Sequence, residues 1–502
     1  MKRRQLIRGG LGFGAMALTS SSLVSFSRSS LNAISHPRRE MPIPELLQFD
    51  GSPLELTMNA GEWEILPGLR SPSAGFNGPY LGPTLRIRDG QNVPLTYKNR
   101  LSESVAVHGH GLHVPGRIDG GPQREIEPES SWALEIPVRQ QACTCWYHPH
   151  THGKTATQTY SGLAGMIIVD DENSDALPIP SSYGVDDIPV IVQDRSLDSR
   201  GHLLYSVKDA EDGFMGETIT VNGIANAKKS VPAGLVRLRL LNGSNARYFR
   251  FSFSDERVFH SIATDGGFLN EPVPIKEIVL LPGERSEIVV DFSDGNSAML
   301  MSGRSDLNLM GSTRDRRGRR NDYEPGGLNA SFEILEINVD KTLPVHHSLL
   351  PKQMNTINRP TVRNNLPSRQ FSLFMEGGRG RRDRNSDRRS SAPMVMGING
   401  RTMSMRSINE RVRKGQWERW EIQSYDGSHP FHVHGCSFLI LSLDGWPVSD
   451  EYAGWKDTVR VDDRAEFIVK FNHEATEEFP YMYHCHILEH EDRGMMGQFT
   501  VT

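Results

Sequence analysis

A chain of 502 residues is too long for one compact core and suits about three domains of ~150 residues each. Hydrophobic residues are 37% and charged residues 23%, which excludes a disordered or membrane-embedded chain, and a net charge of -5 argues against nucleic acid as the main partner. The 47 glycines and 30 prolines fit a turn-rich β protein better than a helical one.

Taken in chain order, the first element is a targeting segment over residues 1–35. Lys2, Arg3, Arg4 and Arg8 form a basic start, an apolar run from Gly9 to Leu18 follows, and Arg3-Arg4-Gln5-Leu6-Ile7 resembles a twin-arginine export signal. The run is too short to span a bilayer, and no later segment is long and apolar enough to do so. These features predict an exported, periplasmic protein with no integral membrane span, delivered by the twin-arginine machinery.

Strand-length runs rich in branched and aromatic residues then recur between turn signals. They are Pro83–Ile87, Val93–Tyr97, Gly165–Val169, Val236–Leu241, Glu287–Phe292, Glu418–Ile422, Phe438–Leu443, Phe467–Phe471 and Gln498–Val501. No long amphipathic helix pattern interrupts them. The chain is all-β, a set of β-sandwiches with Greek-key connections. Three units are expected, over 41–170, 181–340 and 366–502. Two Arg-rich stretches, Arg314–Arg320 and Arg379–Arg389, read as solvated loops, the alternative being loops that shape substrate access.

Four cysteines are present: Cys143, Cys145, Cys436 and Cys485. Cys143 and Cys145 fall on one face of one strand, a poor arrangement for a disulfide between them. Cys485 lies between two histidines, which points to metal.

Of 18 histidines, eight fall in pairs at i and i+2: His108 and His110, His148 and His150, His432 and His434, His484 and His486. In a strand such residues share a face, so each pair aims two imidazoles into one pocket. Two pairs lie in the first unit and two in the last, so the two ends of the chain must meet. Imidazole alone does not select among copper, zinc, iron and nickel. The last pair does. Cys485 points away from its flanking histidines, His490 follows five residues later and Met495 five after that, with His429 upstream. Two His, one Cys and one Met make the ligand set of a blue-copper site.

The stretches His108-Gly109-His110-Gly111, Trp146-Tyr147-His148-Pro149-His150, His429-Pro430-Phe431-His432-Val433-His434-Gly435 and His484-Cys485-His486 through Met495 together resemble the multicopper oxidases, the family of laccases and bacterial cuprous oxidases. The resemblance spans the chain beyond the leader. It implies three cupredoxin-like Greek-key β-sandwich domains, the outer two bearing four copper ions and the middle one none. It assigns His429, Cys485, His490 and Met495 to the type 1 copper and His108 and His432 to the type 2 copper. His110, His148, His150, His434, His484 and His486 then hold the type 3 pair. Spacing alone does not exclude His152, whereas the family pattern selects His148 and His150. His113 and His152 read as supporting or surface groups, and His346 and His347 as linker residues. Asp119 and Glu491 match family positions for proton supply; their ordinary readings are a turn residue and a surface charge.

The implied reaction takes single electrons from a reducing substrate and gives four to O2, making water. Gly111–Gly116, Gly454–Val459 and His486–Asp492 look most like periplasmic copper-efflux oxidases, whose substrate is Cu(I). Met375 and Asp426 stand near the family's substrate-copper positions, with Asp426 out of register by about one residue. The region that is Met-rich in those enzymes is Arg-rich here, followed by Met394, Met396, Met403 and Met405, whose thioethers are soft donors suited to Cu(I) or, in the ordinary reading, core filler. Phenols and aromatic amines stay open as substrates. A monomer is expected. The rivals are a copper nitrite reductase, which needs fewer histidines, and a cupredoxin-like periplasmic binding or cell-division scaffold that has lost its metals.

Overall fold

The structure is a computed structural model that describes residues 37–206, 213–303, 331–361, 366–376 and 394–502. The leader and both Arg-rich stretches lie outside the described residues.

Six sheets draw their strands in pairs from three stretches of chain. In the first stretch, a six-stranded sheet runs in the order Leu46–Gln48, Thr84–Arg88, Gly165–Asp170, Cys143–Pro149, Val105–His110, Glu125–Ile126. It faces a four-stranded sheet of Leu69–Phe76, Leu54–Leu66, Asn92–Asn99 and Ser131–Pro137. Alternation explains the pairing. Val93, Leu95 and Tyr97 are buried between half-exposed neighbours, and they meet Leu85, Ile87, Ile167 and Val169 in one core. The last stretch forms two five-stranded sheets around Trp420, Phe431, Phe467 and Tyr483. The middle stretch forms a six- and an eight-stranded sheet over a core of Val190, Leu238, Phe251 and Ile288.

All nine strand runs read from the sequence are strands, with ends shifted by a few residues. One shift matters: the strand expected from Glu287 starts at Arg285, because Arg285 still pairs with Leu241. The other difference lies at the start. Arg39–Glu40 pairs in parallel with Ala227–Lys228, and Met41 is buried in the middle core rather than opening the first sandwich. The α-helices among the described residues have four to six residues, and no helix there is long and apolar enough to cross a membrane.

Candidate metal centre

Four strands deliver the histidine pairs. Cys143–Pro149 runs antiparallel to Val105–His110, with His148 opposite His108. His429–Val433 runs antiparallel to Tyr481–Cys485, with His432 opposite His484. The first ladder belongs to the first sandwich and the second to the last, and their histidine rings come into contact. The ring of His108 stacks on that of His434 at 3.8 Å, and the ring of His110 on that of His432 at 3.7 Å.

Among the described residues five groups of three donors result, of which three share no residue; the other two, His108 with His432 and His434, and His110 with His432 and Asp457, overlap them. The Nε2 atoms of His150, His434 and His484 lie 3.2, 3.3 and 3.2 Å apart. His110, His148 and His486 bring ligand atoms within 4.8 Å of one another. Cys485 Sγ lies 3.4 Å from His429 Nδ1 and 3.5 Å from His490 Nδ1, and those nitrogens are 3.3 Å apart. Donors held around one metal ion stand roughly 3.3–3.7 Å apart, so the two measured triangles have the size of a metal's first shell. Met495 is fully buried beside the third triad: its N–H donates to the His490 carbonyl, and its carbonyl accepts from the Cys485 N–H.

The remaining nitrogens are oriented for the same purpose. His108 Nδ1–H donates to the Asp119 carbonyl and His432 Nδ1–H to the Asp457 carbonyl, both at 2.8 Å. Their Nε2 atoms are left buried without a protein partner, as are Nε2 of His148, Nδ1 of His110 and both ring nitrogens of His486. An unpartnered buried polar atom costs about 1–3 kcal/mol, so this set destabilises the fold unless something binds it. Burial pushes His110, His148, His150, His434, His484 and His486 well below the ordinary imidazole value. They are neutral, the form that ligates metal. Three imidazoles, or two with a thiolate, suit copper.

Residues 57–174 and residues 377–502 each match a family described as Multicopper oxidase. A laccase-like multi-copper oxidase from a lignin-degrading Ochrobactrum superposes with a TM-score of 0.81 at 34% identity, over 92% of this chain and 100% of that one. McoA multicopper oxidase from Aquifex aeolicus gives 0.78 at 29% identity, over 93% and 100%. The chain belongs to the multicopper oxidase family. Its curated relatives include Cell division protein FtsP of Dickeya dadantii, 39% identical over 99% of this chain and 98% of that protein. FtsP of Escherichia coli is likewise 39% identical, over 92% and 93%. The cupredoxin-like sandwiches expected from the sequence are those of this family.

Around the histidines of this family member the acids are as ordered as the donors. Asp119 ends the short helix Gly116–Asp119 and is buried; its Oδ2 accepts from His434 Nδ1 at 2.7 Å, and its Oδ1 has no partner. It is also the turn residue of the ordinary reading, since Gly120 behind it sits at φ 82°. Glu491 is not a surface charge. It is fully buried, accepts from the Thr155 hydroxyl at 2.7 Å, and reaches His150 and His484 Nδ1 at 3.4 and 3.3 Å. Burial pushes its carboxyl well above the usual range, and the charge of Asp492 adds to the push.

Asp457, within the stretch Gly454–Val459, is a further residue of the site. Its Oδ1 accepts from His110 Nε2 at 3.0 Å, while its carbonyl holds His432. The two aspartates therefore work reciprocally. Asp119 of the first sandwich fixes His434 of the last, and Asp457 of the last fixes His110 of the first. No sequence signal marks Asp457 beyond that motif, because its partners are distant in the chain.

His152 is exposed and belongs to none of the donor groups, and His113 Nε2 meets Ser437 Oγ at 2.9 Å. His346 pairs with Asp186 at the surface. Asp426 and Met375 are adjacent, with the Met375 N–H donating to Asp426 Oδ2 at 3.1 Å. Met375 and Met394 are partly buried against the core that holds Cys485; Met396 is fully buried and Met405 exposed. All four cysteines are buried free thiols.

Proposed function

We propose that this protein is a copper-dependent oxidase that takes electrons singly from a reducing substrate and gives four to O2, making water. The observation that carries the reading is the buried donor set, in which His108 and His432 are bonded through Nδ1 and leave Nε2 open while His110 is bonded through Nε2 and leaves Nδ1 open. His429, Cys485, His490 and Met495 would hold the type 1 copper, His108 and His432 the type 2 copper, and the two histidine triads the type 3 pair. When bound, the four coppers supply one-electron transfer and the four-electron reduction of O2. Cys485 carries His484 and His486 on either side, a covalent route from one site to the other.

The protein's own groups supply the rest. The Asp119 and Asp457 carbonyls and carboxylates fix which ring nitrogen of four histidines carries the proton. Asp119, with one free oxygen, and Glu491, bonded to Thr155, stand where protons are needed as oxygen is reduced. Met375, whose N–H donates to Asp426, carries a thioether, a soft donor that suits Cu(I) as substrate; phenols and aromatic amines are the other substrate class. The twin-arginine segment supports export to the periplasm, and the protein acts as a monomer.

The FtsP relatives favour a second reading, a cell-division protein that uses the fold without the chemistry. O2 uptake by copper-loaded protein, given Cu(I) or a phenol, separates the two. The oxidase consumes O2 with either substrate without accumulating peroxide. A folded, copper-treated protein that consumes none with either is the cell-division protein.

A further inference from the structure

Arg285 begins a strand of the middle sandwich, which supplies none of the proposed copper ligands. It is fully buried, and all five of its N–H donors are used. Nε donates to the Thr144 carbonyl at 2.8 Å, on the strand that carries His148. Nη1 donates to the Gly283 carbonyl at 3.0 Å and to Asp457 Oδ1 at 2.8 Å. Nη2 donates to the Asp265 carbonyl at 3.1 Å and to Asp457 Oδ2 at 2.6 Å. A guanidinium with five satisfied donors has one orientation, and its two-pronged contact fixes the plane of the carboxylate it meets.

That carboxylate is the one that accepts from His110 Nε2. A neutral imidazole carries one proton, and the partner of one nitrogen decides which nitrogen is free. With Nε2–H committed to Asp457, His110 presents Nδ1, the nitrogen that has no partner. The same turn also touches the cluster directly. Gly283 lies so close to His486 that a Cβ there would come within 2.8 Å of its ring.

We infer that Arg285 is a positioning residue for the trinuclear copper site: through Asp457 it sets the face that His110 offers to metal, which makes the ligand-free middle sandwich a working part of that site. This rests on the oxidase reading. One alternative is that Arg285 only ties sandwiches together, as Arg239 does by pairing with Asp187 and Glu287 of its own sandwich while donating to the Thr144 hydroxyl of the first.

The test is copper retention by full-length protein against a competing chelator, with the visible and near-ultraviolet spectrum recorded together. Arg285→Lys keeps the charge and loses the fork. It should release type 3 copper roughly 10–100-fold more readily, the loss typical when a partner behind a ligand is removed. The near-ultraviolet shoulder should fall while the blue thiolate band stays. Arg239→Lys serves as the control for a tether, losing thermal stability while keeping both bands. Should Arg285→Lys not fold, Asp457→Asn, which keeps the volume and removes the charge, is expected to give the same selective loss. Full copper retention and both bands in a folded Arg285→Lys, or in Asp457→Asn, would overturn the inference. Wild-type protein that takes up no copper would instead overturn the oxidase reading on which it rests.

Discussion

Glu491 and Met495 lie within five residues of one another and do different work. Glu491 accepts from Thr155 and faces His150 and His484 but is not itself a proposed ligand. Glutamine there keeps an oxygen for Thr155 and cannot give up a proton. Glu491→Gln should therefore leave the blue colour intact and slow reoxidation by O2 about 100-fold, the lower end of what a positioned acid contributes. Unchanged stopped-flow reoxidation would remove Glu491 from proton supply. Met495→Leu fills the same buried space with no donor. It should retain the copper and the blue band and raise the site's reduction potential, measured by redox titration. Copper lost from that variant would show that the thioether is an essential ligand.

At the scale of elements, the site depends on how tightly its turns close. Gly120 follows Asp119 at φ 82°, and a Cβ there would stand 1.8 Å from the Val107 carbonyl, on the strand that carries His108. Gly90 has a similar φ of 87° with nothing within 4 Å. Gly90→Ala should cost about 1–2 kcal/mol, the price of a left-handed conformation alone. Gly120→Ala should cost clearly more and should also weaken copper binding, because it displaces both Asp119 and a ligand strand. Equal shifts in Tm for the two variants would contradict the close approach. This is also the scale at which the sequence was most and least legible. The i, i+2 histidine pairs and alternating runs such as Val93–Tyr97 disclose strands and faces, because side-chain direction in a strand has a fixed period. The Asp457–His110 bond spans two sandwiches, and no local pattern encodes it. The burial of Glu491 was equally hidden, since it comes from the short helix Thr155–Tyr160 packing over it, with Asp492 accepting from the first N–H groups of that helix.

Over the whole molecule, the sandwiches are joined by buried ions rather than by apolar contact alone. Glu287 of the middle stretch accepts from Arg237 and Arg239, and from Thr144 of the first stretch at 2.6 Å; Asp187 completes the group. Burial raises the Glu287 carboxyl, but the two guanidinium groups outweigh it and hold the carboxyl down to about 2. A depressed carboxyl stabilises the fold above its ordinary value of 4.5 and ceases to as pH falls towards 2. The contribution at neutral pH is about 3 kcal/mol. Tm should fall steeply between pH 4.5 and 2. Glu287→Gln, although less stable at neutral pH because it strands two buried cations, should show a shallower slope over that range. Parallel slopes would mean that other carboxyls govern acid unfolding.

These scales converge on whether the two ends of the chain build one copper centre. The most direct measurement is copper per folded chain, by elemental analysis with the absorption spectrum, for wild type and Cys485→Ser. The wild type should bind about four copper ions and show the blue band with its near-ultraviolet shoulder. Cys485→Ser should lose the blue band and one copper while keeping the shoulder. A folded wild-type protein that stays colourless and copper-free under copper loading would contradict the account.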